Sequence, residues 1–205
     1  MLSSKIIVLF SFLSSQAVAF PTTEERNVIP GYTVADLKWE VEVFPGQPTN
    51  LTGTFDEVRR QATQLNPRWD EVNAQSGEET SGRLDKRSPI WTNVVCGPGP
   101  NKFEWADASI VREKLIPKVR SWGKTLPSLP ARTCGAMACY DGNYLMLCND
   151  NSWELRLQGY IDVADGAQKV LDACQYTGAV VGQQFAQGSW NVIVTSSHWG
   201  QACRG

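Results

Sequence analysis

Histidine is almost absent from this chain: His198 is the only one in 205 residues. A Ser-His or Cys-His nucleophile pair would have to use it. The usual zinc patterns fail on the same count, and there is no Cys-x-x-Cys to replace them. Cysteine is missing from the whole front of the chain. All six cysteines, Cys96, Cys134, Cys139, Cys148, Cys174 and Cys203, follow the dibasic pair Lys86-Arg87. Long apolar runs are missing as well, so nothing reaches the twenty or so residues that a membrane-spanning helix needs. A strong charge is the last absence. From Phe20 to Arg87 there are 12 acidic and 8 basic residues, and from Ser88 onward 9 and 10. A nearly neutral C-terminal part has little long-range field to draw nucleic acid or an anionic membrane.

What is present gives a route. Lys5 precedes an apolar stretch from Ile6 to Leu13, and Ala17-Val18-Ala19 closes it with a small-x-small ending. These are the parts of a cleavable signal peptide, residues 1–19, with cleavage after Ala19. Ser76 to Asp85 holds Ser, Gly, Glu and Thr with almost no apolar residue, a tether that would expose Lys86-Arg87 to a kexin-type protease. The expected organisation is a signal peptide, a pro-region over 20–87, and a disulfide-bonded mature domain over 88–205. Asn50-Leu51-Thr52 is a glycosylation acceptor within the pro-region.

The pro-region has structure of its own. Lys38-Trp39-Glu40-Val41-Glu42-Val43-Phe44 alternates polar and apolar as a half-buried strand does, and Pro45-Gly46 breaks it. Thr54 and Glu57 have capping-box spacing. Behind them Phe55, Val58, Ala62 and Leu65 share a helical face that Asn66-Pro67 ends.

The mature domain alternates strands and helices. Ile90 to Cys96 reads as a strand stopped by Gly97-Pro98-Gly99-Pro100. A helix over about Asp107–Trp122 carries Val111, Leu115, Val119 and Trp122 on one face, with Pro117 expected to kink or divide it. Asp141-Gly142 between two apolar runs predicts a hairpin. A second helix over about Asp162–Cys174 presents Tyr160, Ala164, Ala167, Leu171 and Cys174 on one face, capped by Asp162. Strands over 180–185 and 190–195 follow. The expected fold class is α+β: an antiparallel sheet with two helices packed on one face, a ferredoxin-like sandwich stapled by disulfides.

Six cysteines allow fifteen pairings. Within this layout Cys174, on a buried helix face, would meet Cys139. Cys134 would face Cys148 across the hairpin, and Cys96 would join Cys203. No free thiol would remain.

Several of these features resemble small cysteine-rich proteins secreted by filamentous ascomycete fungi, among them effector candidates of plant-associated species. They are Cys134-Gly-x-x-x-Cys139, Cys148-Asn149-Asp150-Asn151, the helix closing on Cys174, and Gly182-Gln183-x-Phe185 before Trp190-Asn191-Val192-Ile193-Val194. The segment from Trp39 to Gly46 ahead of a Lys-Arg site is similar to their pro-regions. The strand and helix order also resembles the killer toxins of smut fungi. The resemblance implies secretion and a shared scaffold, while targets differ within such families. Ala136-Met137-Ala138 departs from it, being apolar where those proteins are polar.

Catalytic candidates have simpler explanations. Ser196-Ser197-His198-Trp199 reads as a loop. Asp141 belongs to a turn, and Asp162 and Asp165 to a helix's first turn; Asp150 and Glu154 complete the carboxylates that glycoside chemistry could use. Cys148-Asn149-Asp150-Asn151 is half of a calcium loop without its glycine or its distant glutamate, and reads as a turn. No metal and no cofactor is expected. Six tryptophans after Ser88 favour recognition instead. Trp105, Trp153 and Trp199 lie in polar or glycine-rich surroundings where an indole can stack on a sugar or anchor a protein contact. The expectation is a monomeric, non-enzymatic protein, secreted to the extracellular space and binding a host or microbial protein or glycan, with no nucleic-acid partner and no stable membrane anchor. A toxin-like or antimicrobial protein and a carbohydrate-binding module are the alternatives. Action outside or inside host cells stays open.

Overall fold

The structure, a computed structural model, describes residues 32–71, 89–99, 102–121, 126–157 and 161–196. The signal-peptide ending at Ala19, the Lys86-Arg87 site, Trp122, Tyr160, His198, Trp199 and Cys203 lie outside them.

Elements follow in chain order. The N-terminal segment contributes β1 (Thr33–Val34), β2 (Lys38–Phe44), β3 (Gln47–Thr52) and α1 (Phe55–Leu65). After residue 89 come β4 (Trp91–Cys96) and β5 (Ala106–Asp107). Helix α2 is built from three consecutive pieces, Ala108–Ile110, Val111–Leu115 and Ile116–Arg120. Then follow β6 (Leu126–Leu129), β7 (Thr133–Tyr140), β8 (Asn143–Asn149), β9 (Leu155–Arg156) and α3 (Ile161–Cys174). The chain continues through β10 (Gln175–Tyr176), β11 (Ala179–Val180), β12 (Gly182–Ala186) and β13 (Trp190–Ser196).

The class is α+β, but one sheet becomes three. The largest has the order β1-β7-β8-β13-β12-β4, a second has β3-β2-β6-β9, and a small third has β10-β11-β5. Within the largest sheet every pairing is antiparallel except that of β1 with β7. A split βαβ plan would set parallel strands side by side in the sheet's centre. Here β4, the first strand after residue 89, goes to the edge and pairs only with β12. The ferredoxin-like order is therefore not formed.

Local sequence explains most elements. In β2 the side chains alternate exposed and buried along all seven residues, with Trp39, Val41 and Val43 inside. The capping box of Thr54 and Glu57 is present, the Thr54 N–H donating to Glu57 Oε2 at 2.8 Å. Phe55, Val58 and Ala62 are buried, but Leu65 is 53% exposed, because the last turn of α1 runs past the core. Asp141 and Gly142 both take positive φ, 44° and 72°, the left-handed pair a tight hairpin between β7 and β8 requires. Asp107 caps α2, its Oδ1 accepting from the Ser109 N–H at 2.7 Å. Pro117 does not end α2. The stretch before it is a π turn in which the Ile116 N–H donates to Val111 O. That wider turn relieves the crowding a proline ring imposes on the preceding carbonyls. Asp162 does not cap α3, since the helix already starts at Ile161.

Both helices bury their apolar stripes in one cluster. Val111, Leu115 and Val119 of α2 and Ala164, Ala167 and Leu171 of α3 join Leu145, Leu147, Val192 and Val194 of the large sheet. The opposite face holds a smaller cluster with Cys134, Cys139, Cys148, Met146 and Ile193. Ala136, Met137 and Ala138 are all buried, in keeping with their apolar character. The N-terminal segment is no appendage. Leu37, Trp39, Val58 and Ala62 have no exposed surface and sit in the same cluster as both helices.

Two disulfides are defined by position. Cys134 and Cys148 are register partners on β7 and β8, with Cα atoms 4.0 Å apart, as the hairpin implied. Cys174 bonds Cys96, not Cys139. The end of α3 lies over the β12–β4 edge, whereas Cys139 belongs to β7, three strands from β12. Three inter-strand spacings amount to roughly 14 Å, twice what a disulfide bridges. Cys96, on the edge strand, thereby takes the position expected for Cys139, and the Cys96–Cys203 pairing falls with it. Cys139 is itself disulfide-bonded, to a partner outside the described residues. Among the described residues no helix is long and apolar enough to cross a membrane.

Candidate functional site

At the end of β8 the chain leaves the largest sheet through Asp150 to Trp153 and joins the second sheet as β9, beside β6. Two buried asparagines determine the path. The Asn149 side-chain amide donates to Leu129 O at 3.1 Å, Pro130 O at 2.9 Å and Trp153 O at 2.8 Å. Its Oδ1 accepts from the Asn151 backbone N–H at 2.9 Å. Asn151 Nδ2 in turn donates to Gly188 O at 2.9 Å and Ser189 O at 3.0 Å. The loop is thus tied to the β6–β7 connection on one side and to the β12–β13 turn on the other. Buried polar groups satisfied this fully rigidify what they hold. Cys148 and Asn149, expected to belong to a turn, instead end β8, and the chain leaves the strand only at Asp150.

Trp153 stands on this loop with 66% of its surface exposed. An indole left in water on a backbone fixed by buried hydrogen bonds is pre-organised to stack on a partner.

The next residue enters a groove of about 530 Å³ across the second sheet. Lys38, Glu40, Asn50 and Thr52 line it from β2 and β3, Ser128 from β6, and Glu154 and Arg156 from the strand beyond. Arg156 grips Glu154 Oε2 through Nε and Nη2 at 3.1 and 3.0 Å, and Ser128 Oγ donates to Oε1 at 3.1 Å. The Arg156 hydrogen bond, followed by that of Ser128, holds the Glu154 carboxyl below the usual range. Charges of both signs alternate with hydroxyl and amide groups along the groove. Such a lining suits a polar ligand of little net charge. Asn50 is exposed on β3 at the groove's border, so a glycan there would stand beside it.

Beside Asn149, at the end of β8 in the largest sheet, Asp150 accepts from Tyr32 Oη at 2.6 Å and from Asn191 Nδ2 of β13 at 3.1 Å. Burial, then the hydrogen bond to Asp150, pushes the Tyr32 phenol up to about 12.

Trp105 is 45% exposed but belongs elsewhere. Its neighbour Glu104 bridges to Ser196, which pairs with Asn143 at the start of β8, whereas Trp153 follows Asn149 at the end. A seven-residue strand separates them by about 20 Å, so the two indoles do not form one surface. The candidate carboxylates are likewise dispersed. Asp141 is in the hairpin turn, Asp150 is held by Tyr32 and Asn191, Asp162 and Asp165 are on α3, and Glu154 is paired with Arg156.

No protein-family model, no curated protein and no solved structure matches this chain.

The groove and the asparagine lattice were not anticipated. Alternating charges around Trp39 and at Glu154-x-Arg156 mark solvent faces of strands, but only the sheet order brings them together. A doubled Asn around an Asp could have suggested a side-chain-locked turn.

Proposed function

We propose that the chain is a secreted, disulfide-stapled recognition protein of the kind that filamentous fungi direct at a host or a competitor. It is made with a signal peptide ending at Ala19 and is cut after Arg87. It acts by binding a protein or a glycan through Trp153 and the adjoining groove, without catalysis. The observation that carries this reading is Trp153 itself, a large indole in solvent on a loop that Asn149 and Asn151 hold rigid. Recognition energy concentrates in such aromatic anchors. The Cys96–Cys174 and Cys134–Cys148 bonds support an oxidising destination. Both helices lie on one face of the largest sheet, the part of the expected two-helix sandwich that supports a likeness to the killer-toxin scaffold.

The deciding experiment is capture from host and microbial extracts and on glycan arrays, with the secreted protein and its Trp153→Ala variant in parallel. A ligand retained by the parent and lost by a normally folded variant is the expected result. Equal retention by both would overturn the assignment to Trp153. Capture on chitin or glucan would select the carbohydrate-binding form of this reading, which the hydroxyl and amide groups of the groove favour.

A further inference from the structure

Cutting after Arg87 is ordinarily read as discarding what precedes it, and the packing of residues 32–71 argues against that outcome. We infer that this segment stays bound after cleavage, so that the mature protein is a non-covalent complex of two chains. The inference rests on the processing proposed above.

The segment is built into both larger sheets. Thr33 and Val34 lie parallel to Thr133 and Cys134, with the Ala35 N–H donating to Cys134 O at 2.9 Å. Lys38, Trp39 and Glu40 pair antiparallel with Ser128, Pro127 and Leu126. Removing the segment would leave the second sheet with only β6 and β9, strands of four and two residues, too little to stand alone. Trp39 and Val58 have no exposed surface, and Val41 has 1%. Leaving would transfer these side chains to water together with the domain's Leu129, Leu155 and Leu157, which are at most 9% exposed in their presence. Polar contacts follow the same route: Tyr32 Oη donates to Asp150 Oδ1, and Lys118 pairs with Asp56.

The domain is shaped for its occupant. A β-carbon at Gly135 would come within 2.8 Å of the Ala35 carbonyl oxygen and 3.0 Å of Leu37 Cγ. That glycine gives the domain room for this backbone and no more. The segment carries no cysteine, so once the peptide bond after Arg87 is hydrolysed only these contacts hold it. The groove beside Trp153 draws Lys38, Glu40 and Asn50 from the segment, and so persists only while the segment remains.

The test uses the full secreted chain and a variant whose residues 83–87 are replaced by the recognition sequence of a site-specific protease. Each is folded, cut, and examined by native mass spectrometry and gel filtration. Both fragments should elute as one species of the summed mass and separate only in denaturant. Added isotope-labelled peptide 32–71 should exchange into the cut complex over hours, not minutes. Segment and domain eluting separately without denaturant would overturn the inference. The cut Gly135→Ala protein should lose its segment at least about tenfold faster, equivalent to about 1.4 kcal/mol. An unchanged rate would show that the close approach at Gly135 does not hold the segment. Should Gly135→Ala not fold, the exchange rate of the parent still decides. A native secreted chain that is never cut after Arg87 would overturn the processing reading and with it the two-chain form, while the protease-site variant still decides separately whether the segment is retained once cut.

Discussion

The indole of Trp190 meets that of Trp91 edge to face, ring centroids 5.5 Å apart and planes at 65°. Trp190 opens β13, is 5% exposed and belongs to the main core cluster, against which Trp91 of β4 packs. Trp190→Ala should destabilise the protein by about 3–5 kcal/mol, the range for a large aromatic removed from a core. Trp153→Ala should leave the melting temperature nearly unchanged, since the residue is 66% exposed, and Trp105→Ala, at 45% exposure, should cost less than Trp190→Ala. Of Trp153→Ala and Trp105→Ala, only the first should weaken ligand retention, by about 2 kcal/mol or more. Thermal melts and retention assays on the three variants read this directly. Equal destabilisation by all three would mean that the exposed indoles are structural.

The two defined disulfides close loops of very different length, 78 residues for Cys96–Cys174 and 14 for Cys134–Cys148. In the chain-entropy account the longer loop is worth about 4.5 kcal/mol and the shorter about 3 kcal/mol. The double variant Cys96→Ala with Cys174→Ala should therefore lose more stability than Cys134→Ala with Cys148→Ala. Chemical denaturation of the two double variants, with the other bonds intact, measures the difference. The reverse order would point to native-state packing around Cys134 as the larger contribution.

Local patterns carried far in this chain, and neighbour relations did not. The strand over Lys38–Phe44 was legible because only one of its faces is buried, so polarity alternates strictly. The β7–β8 hairpin was legible through Asp141-Gly142, whose backbone requirement is local. The choice of Cys96 for Cys174 depends on β12 lying between β13 and β4, and no local signal records strand order. The same limit hid the role of residues 32–71. The apolar face of Phe55, Val58 and Ala62 announces that something covers it, without saying that the cover is the body of the domain. The groove joins residues from four strands and became visible only with the sheet assembled.

Asn149 is the hub of the loop that presents Trp153. Asn149→Asp keeps the shape of the side chain but replaces three donated hydrogen bonds with a buried carboxylate facing three carbonyl oxygens. The expected loss is about 3–5 kcal/mol, the cost of a buried group left with repulsive partners. Asn149→Ser should cost less, since a hydroxyl can still donate once. In the serine variant, hydrogen exchange at the amides of residues 150–153 should rise before that of β8, and ligand retention should fall with it. Retention that survives a loosened loop would separate recognition from loop rigidity.

Asp162 supplies a dependence on pH whose sign is opposite to the usual one for a carboxylate. Burial in the first turn of α3, and secondarily the charge of Asp165 three residues on, raise its pKa from 3.8 to about 6. Between these values the folded protein holds a proton that the unfolded chain has released, so stability falls as pH rises from about 4 through 6. A two-unit shift corresponds to about 3 kcal/mol, and the partial exposure of Asp162 reduces the realised cost to roughly 1–2 kcal/mol. Asp162→Asn carries no such charge. It should match the parent near pH 4, exceed it by about 1–2 kcal/mol at pH 7, and flatten the profile between. Asp165 is the control, because it is paired with Arg120 at 3.1 Å. Asp165→Asn should ease the repulsion on Asp162 but forfeit that ion pair, leaving a smaller net gain at pH 7. Urea midpoints of the three proteins at pH 4, 5, 6 and 7 measure all of this. A slope in Asp162→Asn equal to that of the parent would assign the pH dependence to another group.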